Sequence, residues 1–194
     1  MFEQISIRPA LPTEAHLLSA IATRTFQDAF ADSSDPADIA DYLRDHCSAK
    51  CFAHELANQN NLFLLAFAAE TSAETISDKT TSDKTTAPIG YAKLRKSSPE
   101  HPTESCISGA HPIELERLYV EKAAIGQGVG AQLMQACLNQ AKSMAYDTLW
   151  LGVWEHNARA LKFYQRWGFE AVGSHVFVVG SDEQNDLIMQ KSLS

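Results

Sequence analysis

The chain has 194 residues, of which 45% are apolar, and its formal net charge is −8 at pH 7. This length suffices for one well-packed domain, and we predict a single domain over residues 1–194. The negative charge argues against a nucleic-acid-binding protein and is compatible with a cationic partner.

The sequence shows neither an apolar run of membrane-spanning length nor a basic-then-apolar leader. We therefore expect a cytoplasmic protein without a membrane partner. The cysteines lack the spacing of a disulfide framework, which is typical of a reducing compartment. They are Cys47, Cys51, Cys106 and Cys137.

The first elements are a strand over residues 5–8 and a helix that opens at Pro12. A second helix begins at Pro36. Aspartates crowd these helices and the joint between them, and their positions are Asp28, Asp32, Asp35, Asp38, Asp41 and Asp45. The pattern favours helix caps and a solvated face, and the alternative is an acidic rim that attracts an amine.

His46, Cys47, Cys51 and His54 raise the question of a metal site. The last three of these residues have the spacing of one helical stripe. Leu43 continues the stripe, so packing of small buried residues explains it equally well. A closed zinc site needs four well-placed ligands, and we predict no metal.

Two apolar strands, over residues 61–69 and 89–94, are expected to pair in an antiparallel manner. Residues 70–88 between them contain the sequence SDKTT twice and lack large apolar residues apart from Ile76. We expect this segment to be a mobile hairpin loop rather than a domain linker, since the flanking strands need each other. Residues 97–112 form a second polar loop.

A polar strand ending at Val120 precedes a glycine-rich loop and a helix. Gly126, Gly128 and Gly130 remove three side chains within five residues, so that backbone N–H groups at the helix start can face an anion. A P-loop is excluded because Ala131 and the residue after it stand where Lys-Ser/Thr is required.

A dinucleotide fingerprint is the second interpretation of this loop. The residues Gly126, Gly128 and Ala131 match the G-x-G-x-x-G/A pattern of this fingerprint. Asp147 lies near the position of its acidic residue, about twenty residues after the glycines. The preceding strand, however, carries two glutamates and an arginine over residues 114–117, which is too polar for a central parallel strand.

A second motif begins about twenty residues after the glycine-rich loop. A strand starting near Leu149 leads to Asn157, which is a good N-cap for the next helix. Ala160 and Tyr164 fall on one stripe of that helix, and Gly168 is suited to end it.

Together, residues 113–170 resemble the GNAT superfamily of N-acetyltransferases. The resemblance implies an α/β fold with a mixed, twisted sheet of about six or seven strands and helices on both faces. It also implies acetyl-CoA as co-substrate, bound where the strand ending at Val120 and the strand from Leu149 splay apart. The implied cofactor-binding residues are Leu118, Tyr119, Val120, Ile125, Gly126, Gln127, Gly128, Val129, Gly130, Ala131, Asn157 and Tyr164. Ile125 stands where the family has Gln or Arg, so backbone donors are expected to bind the pyrophosphate.

The family often uses a glutamate on the strand before the loop as a base acting through water. Glu114 is the first choice for this role and Glu116 the second, because alternation places both on one face. Tyr164 would protonate the departing thiolate, and packing in the helix core is its alternative role.

The C-terminal tail, with His175 and Asp186, also looks like that of the polyamine acetyltransferases, which implies a small cationic amine as acceptor. Three other functions stay open: a catalytically silent acetyl-CoA sensor, an acetyltransferase for protein or amino-acid amines, and a dinucleotide-binding oxidoreductase. A homodimer is also left open.

Overall fold

The computed structural model describes residues 4–31, 35–68, 87–179 and 182–193. Asp32, most of the loop expected to be mobile, and part of the last hairpin turn lie outside the described residues. Within the described chain, the strands are β1 (Ile5–Pro9), β2 (Asn61–Ala68), β3 (Gly90–Lys96), β4 (Pro112–Val120), β5 (Thr148–Trp154), β6 (Glu170–Val179) and β7 (Asp182–Ser192). The helices are α1 (Ala15–Phe30), α2 (Pro36–His46), α3 (Ala49–Ala57), α4 (Val129–Ser143) and α5 (Ala158–Arg166), and short 3₁₀ turns lie at Pro12–Glu14 and Lys122–Ala124.

The described strands form one mixed sheet in the order β1-β2-β3-β4-β5-β7-β6. All neighbours are antiparallel except β4 and β5, which run parallel. Their pairing stops at Glu114 and Trp150, so the rest of each strand leaves the other. This V-shaped opening at the centre of the sheet is the one that the family resemblance implies.

Apolar side chains pack on both faces of the sheet, as alternation along the strands requires. One face, called here the α4 face, packs β-strand residues such as Leu115 and Leu151 against α4 and α5. The opposite face, the α1 face, packs Phe63 and Tyr91 against α1 and α3, with α2 at its edge. The predicted mixed α/β fold with helices on both faces is therefore confirmed.

The chain between α2 and α3 corrects one expectation. The stripe through Cys47, Cys51 and His54 does not exist, because α2 ends at His46 and Ser48 caps a new helix by accepting a hydrogen bond from Cys51 N. No group of three His, Cys, Asp or Glu in the described part of the chain could hold a metal ion. Across the same residues, every helix is too short or too polar to cross a membrane.

Candidate functional site

The glycine loop between β4 and α4 depends on two of its three glycines for its conformation. Gly126 and Gly128 have φ angles of 83° and 88°, in the left-handed region that other residues adopt at a cost. A Cβ at either position would meet no atom within 4 Å, so the space beside the loop is open. Gly130 is different, because it lies inside α4 and a Cβ there would only touch Val120 and Phe163 at 3.7 and 3.9 Å.

The start of α4 offers several unused backbone donors. The first intrahelical bond is the one from Gln132 N to Gly128 O, at 3.0 Å. Among the described residues, none accepts a hydrogen bond from the N–H groups of Gly126 and of the range 128–131. Unpaired donors and the helix dipole at one helix end favour a bound anion such as a pyrophosphate.

The side chains of the loop offer no charged hydrogen-bond donor to an anion, so the backbone N–H groups are the available donors. Ile125 is exposed and apolar, and Gln127 Nε2 turns back to donate to Ala123 O at 2.8 Å. Val129 is fully buried in the core of the α4 face, and Ala131 has only a methyl group. The absence of the usual Gln or Arg at position 125 therefore leaves a site made of N–H groups.

The β4 side of the opening presents backbone as well. Leu118 and Val120 pack their side chains into the core of the α4 face. Tyr119 points to the other face, where its ring stacks on Tyr91 with 5.7 Å between centroids. Their main-chain edge toward β5 has no partner strand beyond Glu114. An extended ligand such as a pantetheine arm can pair with such an edge as an added strand does.

A β-bulge changes which side chains of β4 share a face. Lys93 of β3 pairs with Arg117, and the next residue of β3 pairs with Leu115, so Glu116 has no partner across the ladder. A bulge places two successive residues opposite one. Arg117 consequently joins Glu114 and Glu116 on the α1 face, which simple alternation does not predict.

These charged residues form a network with partners from α3 and β3. Glu116 Oε2 lies 2.8 Å from Lys93 Nζ and 3.2 Å from Arg95 Nε. Glu114 Oε2 lies 2.7 Å from Arg95 Nη2. Glu55 of α3 completes the network, and its carboxylate contacts Lys93 and Arg117 at 3.1 and 2.9 Å. Three glutamates thus balance three cations, which makes the burial of these charges tolerable.

The network gives the two candidate bases opposite properties. Burial raises the pKa of Glu114, the positive charge of Arg95 offsets part of the rise, and the negative charge of Glu116 adds to it. Burial also acts to raise the pKa of Glu116, but Arg117, Lys93 and Arg95 together hold it below its ordinary value. At neutral pH, Glu114 is therefore the stronger base of the two.

Tyr164 lies on α5 and packs against the core of the α4 face. Its ring packs edge-on against Phe163 and Phe169, with centroids 5.4 and 5.8 Å away. Burial raises its pKa well above the ordinary value, with a smaller contribution from Cys137 of α4. No described residue forms a hydrogen bond with its hydroxyl. The phenol is therefore protonated at pH 7 and free to donate.

Asn157 begins α5 as the sequence predicts. Its Oδ1 accepts a hydrogen bond from Ala160 N at 3.0 Å. The helix ends at Arg166, and Gly168 adopts a left-handed φ of 81° two residues later. Both positions are explained by helix capping, while the side-chain amide of Asn157 remains available for a ligand.

A cavity of about 640 Å³ opens on the α1 face above the network. Glu116 and Arg117 lie at its floor, and the predicted aspartate group divides around it. Asp38, Asp41 and Asp45 line it, whereas Asp35 caps α2 by accepting a hydrogen bond from Ala37 N and Asp28 is exposed on α1. Arg44 pairs with Asp41 and Asp45, so the rim is only weakly acidic.

Sequence reasoning missed three residues of the network, namely Glu55, Lys93 and Arg95. They lie outside both motifs, and long-range packing brings them to β4. The sequence offers one signal, because Lys93 and Arg95 interrupt the apolar strand β3. In the structure Lys93 is only 3% exposed, and a lysine buried to this extent needs an acidic partner.

Comparison with known proteins agrees with this geometry. A sequence profile described as "Acetyltransferase (GNAT) family" matches residues 18–169. An uncharacterized N-acetyltransferase in the pepI 3′ region of Lactobacillus delbrueckii subsp. lactis is 29% identical over 174 residues, which cover 90% of this chain and 89% of the relative. One from Mycobacterium tuberculosis is 28% identical over 181 residues, or 93% of this chain and 99% of the other.

Among solved structures, the PaiA N-acetyltransferase from Thermoplasma acidophilum in complex with coenzyme A superposes with a TM-score of 0.70. The identity is 21%, over 97% of this chain and 99% of the other, so this similarity concerns the fold. The profile match covers most of the chain, including the glycine loop and α5. The chain therefore belongs to the acetyltransferase (GNAT) family, enzymes that transfer the acetyl group of acetyl-CoA to nitrogen.

Proposed function

We propose that this protein acetylates a primary amine of a small cationic acceptor by direct attack of the amine on the thioester. One observation carries the proposal: the cavity with the aspartate rim opens on the same face as Glu114 and Glu116, beside the opening that suits acetyl-CoA. Donor and acceptor then approach the centre of β4 from different directions, and no acyl-enzyme intermediate is needed.

Acetyl-CoA would bind with its pyrophosphate on the free backbone N–H groups of Gly126 and of residues 128–131. The pantetheine arm would follow the free edge of β4 at Leu118–Val120. A backbone N–H on this edge would polarise the thioester carbonyl and stabilise the negative charge that develops on its oxygen. Asn157, the N-cap of α5, and Tyr164 in its last turn would border the thioester end.

The acceptor must lose a proton before it attacks, since a free alkylamine has a pKa near 10. Glu114 would take this proton through a water molecule. The raised pKa of Glu114 lies closer to neutral pH than the pKa of Glu116, which three neighbouring cations lower. Glu116 would instead fix the positions of Lys93 and Arg95 below the cavity.

Replacement Glu114→Gln is expected to lower kcat/KM at pH 7 by about 10²-fold, the lower end of the range for general bases. The base works only when ionised, so wild-type activity should fall as the pH drops through the raised pKa of Glu114. The loss caused by Gln should shrink at alkaline pH, where more of the amine is already neutral. The measurement is the pH profile of kcat/KM for both proteins.

Glu116→Gln serves as the comparison, since it should affect stability more than the shape of this pH profile. Equal profiles for wild type and Glu114→Gln would show that another group takes the proton.

The acceptor is expected to be cationic because of the negative net charge and the aspartates at the cavity rim. Changing both Asp38 and Asp41 to Asn should raise the acceptor KM by about threefold to tenfold and weaken its dependence on salt. The effect is modest because exposed charges contribute only about 0.2–1 kcal/mol each. Steady-state kinetics at low and moderate salt measures both quantities.

Asp28→Asn is the control for charge alone, because it removes one negative charge, against two in the test variant, from an exposed position that does not line the cavity. A clear preference for neutral or anionic acceptors, or equal effects in control and test variants, would contradict this assignment.

The proposed activity itself is tested by thiol release from acetyl-CoA over a panel of cationic, neutral and anionic amines. Cationic alkylamines should give the highest kcat/KM. Stabilisation by acetyl-CoA without release for any amine would identify a sensor instead.

A further inference from the structure

The β5 side of the opening carries a second group of polar residues on the α1 face. Alternation along β5 buries Leu149, Leu151 and Val153 in the core of the α4 face. The alternate positions of β5 consequently lie on the α1 face, which also carries Glu114 and the acceptor cavity. They are Trp150, Gly152 and Trp154. Gly152 lies two residues beyond the point where β4 and β5 separate, so it belongs to the wall of the opening.

Two polar atoms converge above Gly152. A Cβ at this position would lie 3.4 Å from Asp186 Oδ2 and also 3.4 Å from His175 Nε2. Asp186 of β7 is the ladder partner of both His175 in β6 and Trp154 in β5. The missing side chain of Gly152 therefore leaves space for a small group that contacts a carboxylate and an imidazole together.

The loop between β3 and β4 holds His175 in this orientation. Its Glu104 Oε1 lies 3.0 Å from His175 Nδ1. Farther along, Ser108 exchanges two hydrogen bonds with Gln190 of β7, at 2.8 and 2.7 Å. The loop thus lies across β6 and β7, and a ring nitrogen fixed by Glu104 leaves Nε2 facing Gly152.

Asp186 supplies the acidic group beside this space. In the described part of the chain, its carboxylate makes no hydrogen bond and no ion pair at contact distance. Burial raises its pKa, and the neighbouring His175 offsets part of the rise. A half-buried carboxylate of this kind gains most from a cation. Trp154, paired with it across the ladder, adds an aromatic surface that also attracts cations.

The position fits the second amino group of a diamine. Glu114 pairs with Trp150, two residues before Gly152. Strand geometry then separates the Cα atoms of Glu114 and Gly152 by about 8 Å, from a strand spacing of about 4.8 Å and a rise of about 3.3 Å per residue. A short alkyl diamine spans a comparable length.

We propose that Asp186, together with His175 and the bare Gly152, binds the non-reacting ammonium group of a diamine or polyamine acceptor while the other amine faces Glu114. This inference rests on the proposed acetyl transfer to a cationic amine and names the chemical class of its substrate. Asp186 would determine specificity and take no part in proton transfer.

The test measures binding without turnover. Calorimetric titration of the coenzyme A-saturated protein with 1,4-diaminobutane should show tighter binding than titration with butylamine. Asp186→Asn should weaken diamine binding by about tenfold or more, as expected for loss of one charge-assisted contact. Gly152→Val, which fills the space, should weaken it as well. Coenzyme A affinity and the melting temperature should change little in Asp186→Asn.

Glu170→Gln, which removes one exposed carboxylate at the other end of β6, is the matched control and should bind the diamine normally. Wild-type-like diamine binding in Asp186→Asn, or equal binding of diamine and monoamine, would overturn the subsite even if both amines are acetylated. A diamine preference that Asp186→Asn abolishes would support the subsite even if no acetyl group is transferred.

Discussion

Replacement Tyr164→Phe is expected to lower kcat by about 10²-fold while leaving the fold and acetyl-CoA affinity intact. General acid catalysis is typically worth about 10²–10⁴-fold. Burial raises the pKa of Tyr164, which makes the phenol a weaker acid toward a departing thiolate, so the lower end of this range is expected. The loss should fall on kcat, because the proton is needed only as the thiolate leaves.

The ring contacts of Tyr164 allow this substitution to remove the hydroxyl without disturbing the packing. Phe keeps the packing against Phe163 and Phe169, and the lost hydroxyl has no hydrogen-bond partner among the described residues. The melting temperature should therefore be nearly unchanged. If a chemistry-limited assay gives a near-normal kcat for the Phe variant, Tyr164 is a packing residue and another group or water supplies the proton.

The second large effect is expected at the glycine loop. Acetyl-CoA at about 100 times its Kd should stabilise the protein by about 2.7 kcal/mol, or roughly 5–10 °C in Tm. Gly128→Val should remove most of this shift. Its φ of 88° is strained for a β-branched residue, and the new side chain would occupy the open space where we propose that the phosphate binds. Thermal unfolding with and without acetyl-CoA measures the effect.

Gly130→Ala is the matched control from the adjoining first turn of α4. Its Cβ would contact Val120 and Phe163 at ordinary distances, and the residue already lies inside α4. This variant should retain the full shift. A folded Gly128→Val variant with an unchanged shift would place the cofactor elsewhere.

The parts of the site that depend on local backbone geometry are predictable from sequence. Glycine spacing identifies the turn at Gly126 and Gly128, and Asn157 identifies the start of α5, because capping and left-handed turns act over a few residues. The opening between β4 and β5 follows from the resemblance that these local motifs establish.

Features that depend on long-range packing are not predictable in this way. The bulge at Glu116 shifts the alternation of β4 and brings Arg117 to the α1 face. No glycine or other residue type typical of a bulge marks this position in the sequence. Lys93 reaches Glu55 across 38 positions of the chain, and no motif covers the pair.

The aspartate group shows the same limit. Its spacing alone does not distinguish Asp35, which caps a helix, from Asp38, which lines the cavity. His175 shares no spacing with another histidine, and in the described part of the chain its orientation is fixed by Glu104 in the loop between β3 and β4.

We propose that acetyl-CoA donates its acetyl group to a cationic amine at this site. The most direct measurement mixes acetyl-CoA-saturated protein with 1,4-diaminobutane and identifies the products by mass spectrometry. We expect the monoacetylated diamine and free coenzyme A in equal amounts, with the product nearly absent in Gly128→Val. Binding of acetyl-CoA at the loop without any acetylated amine, for the diamine or for the wider panel, would contradict the claim.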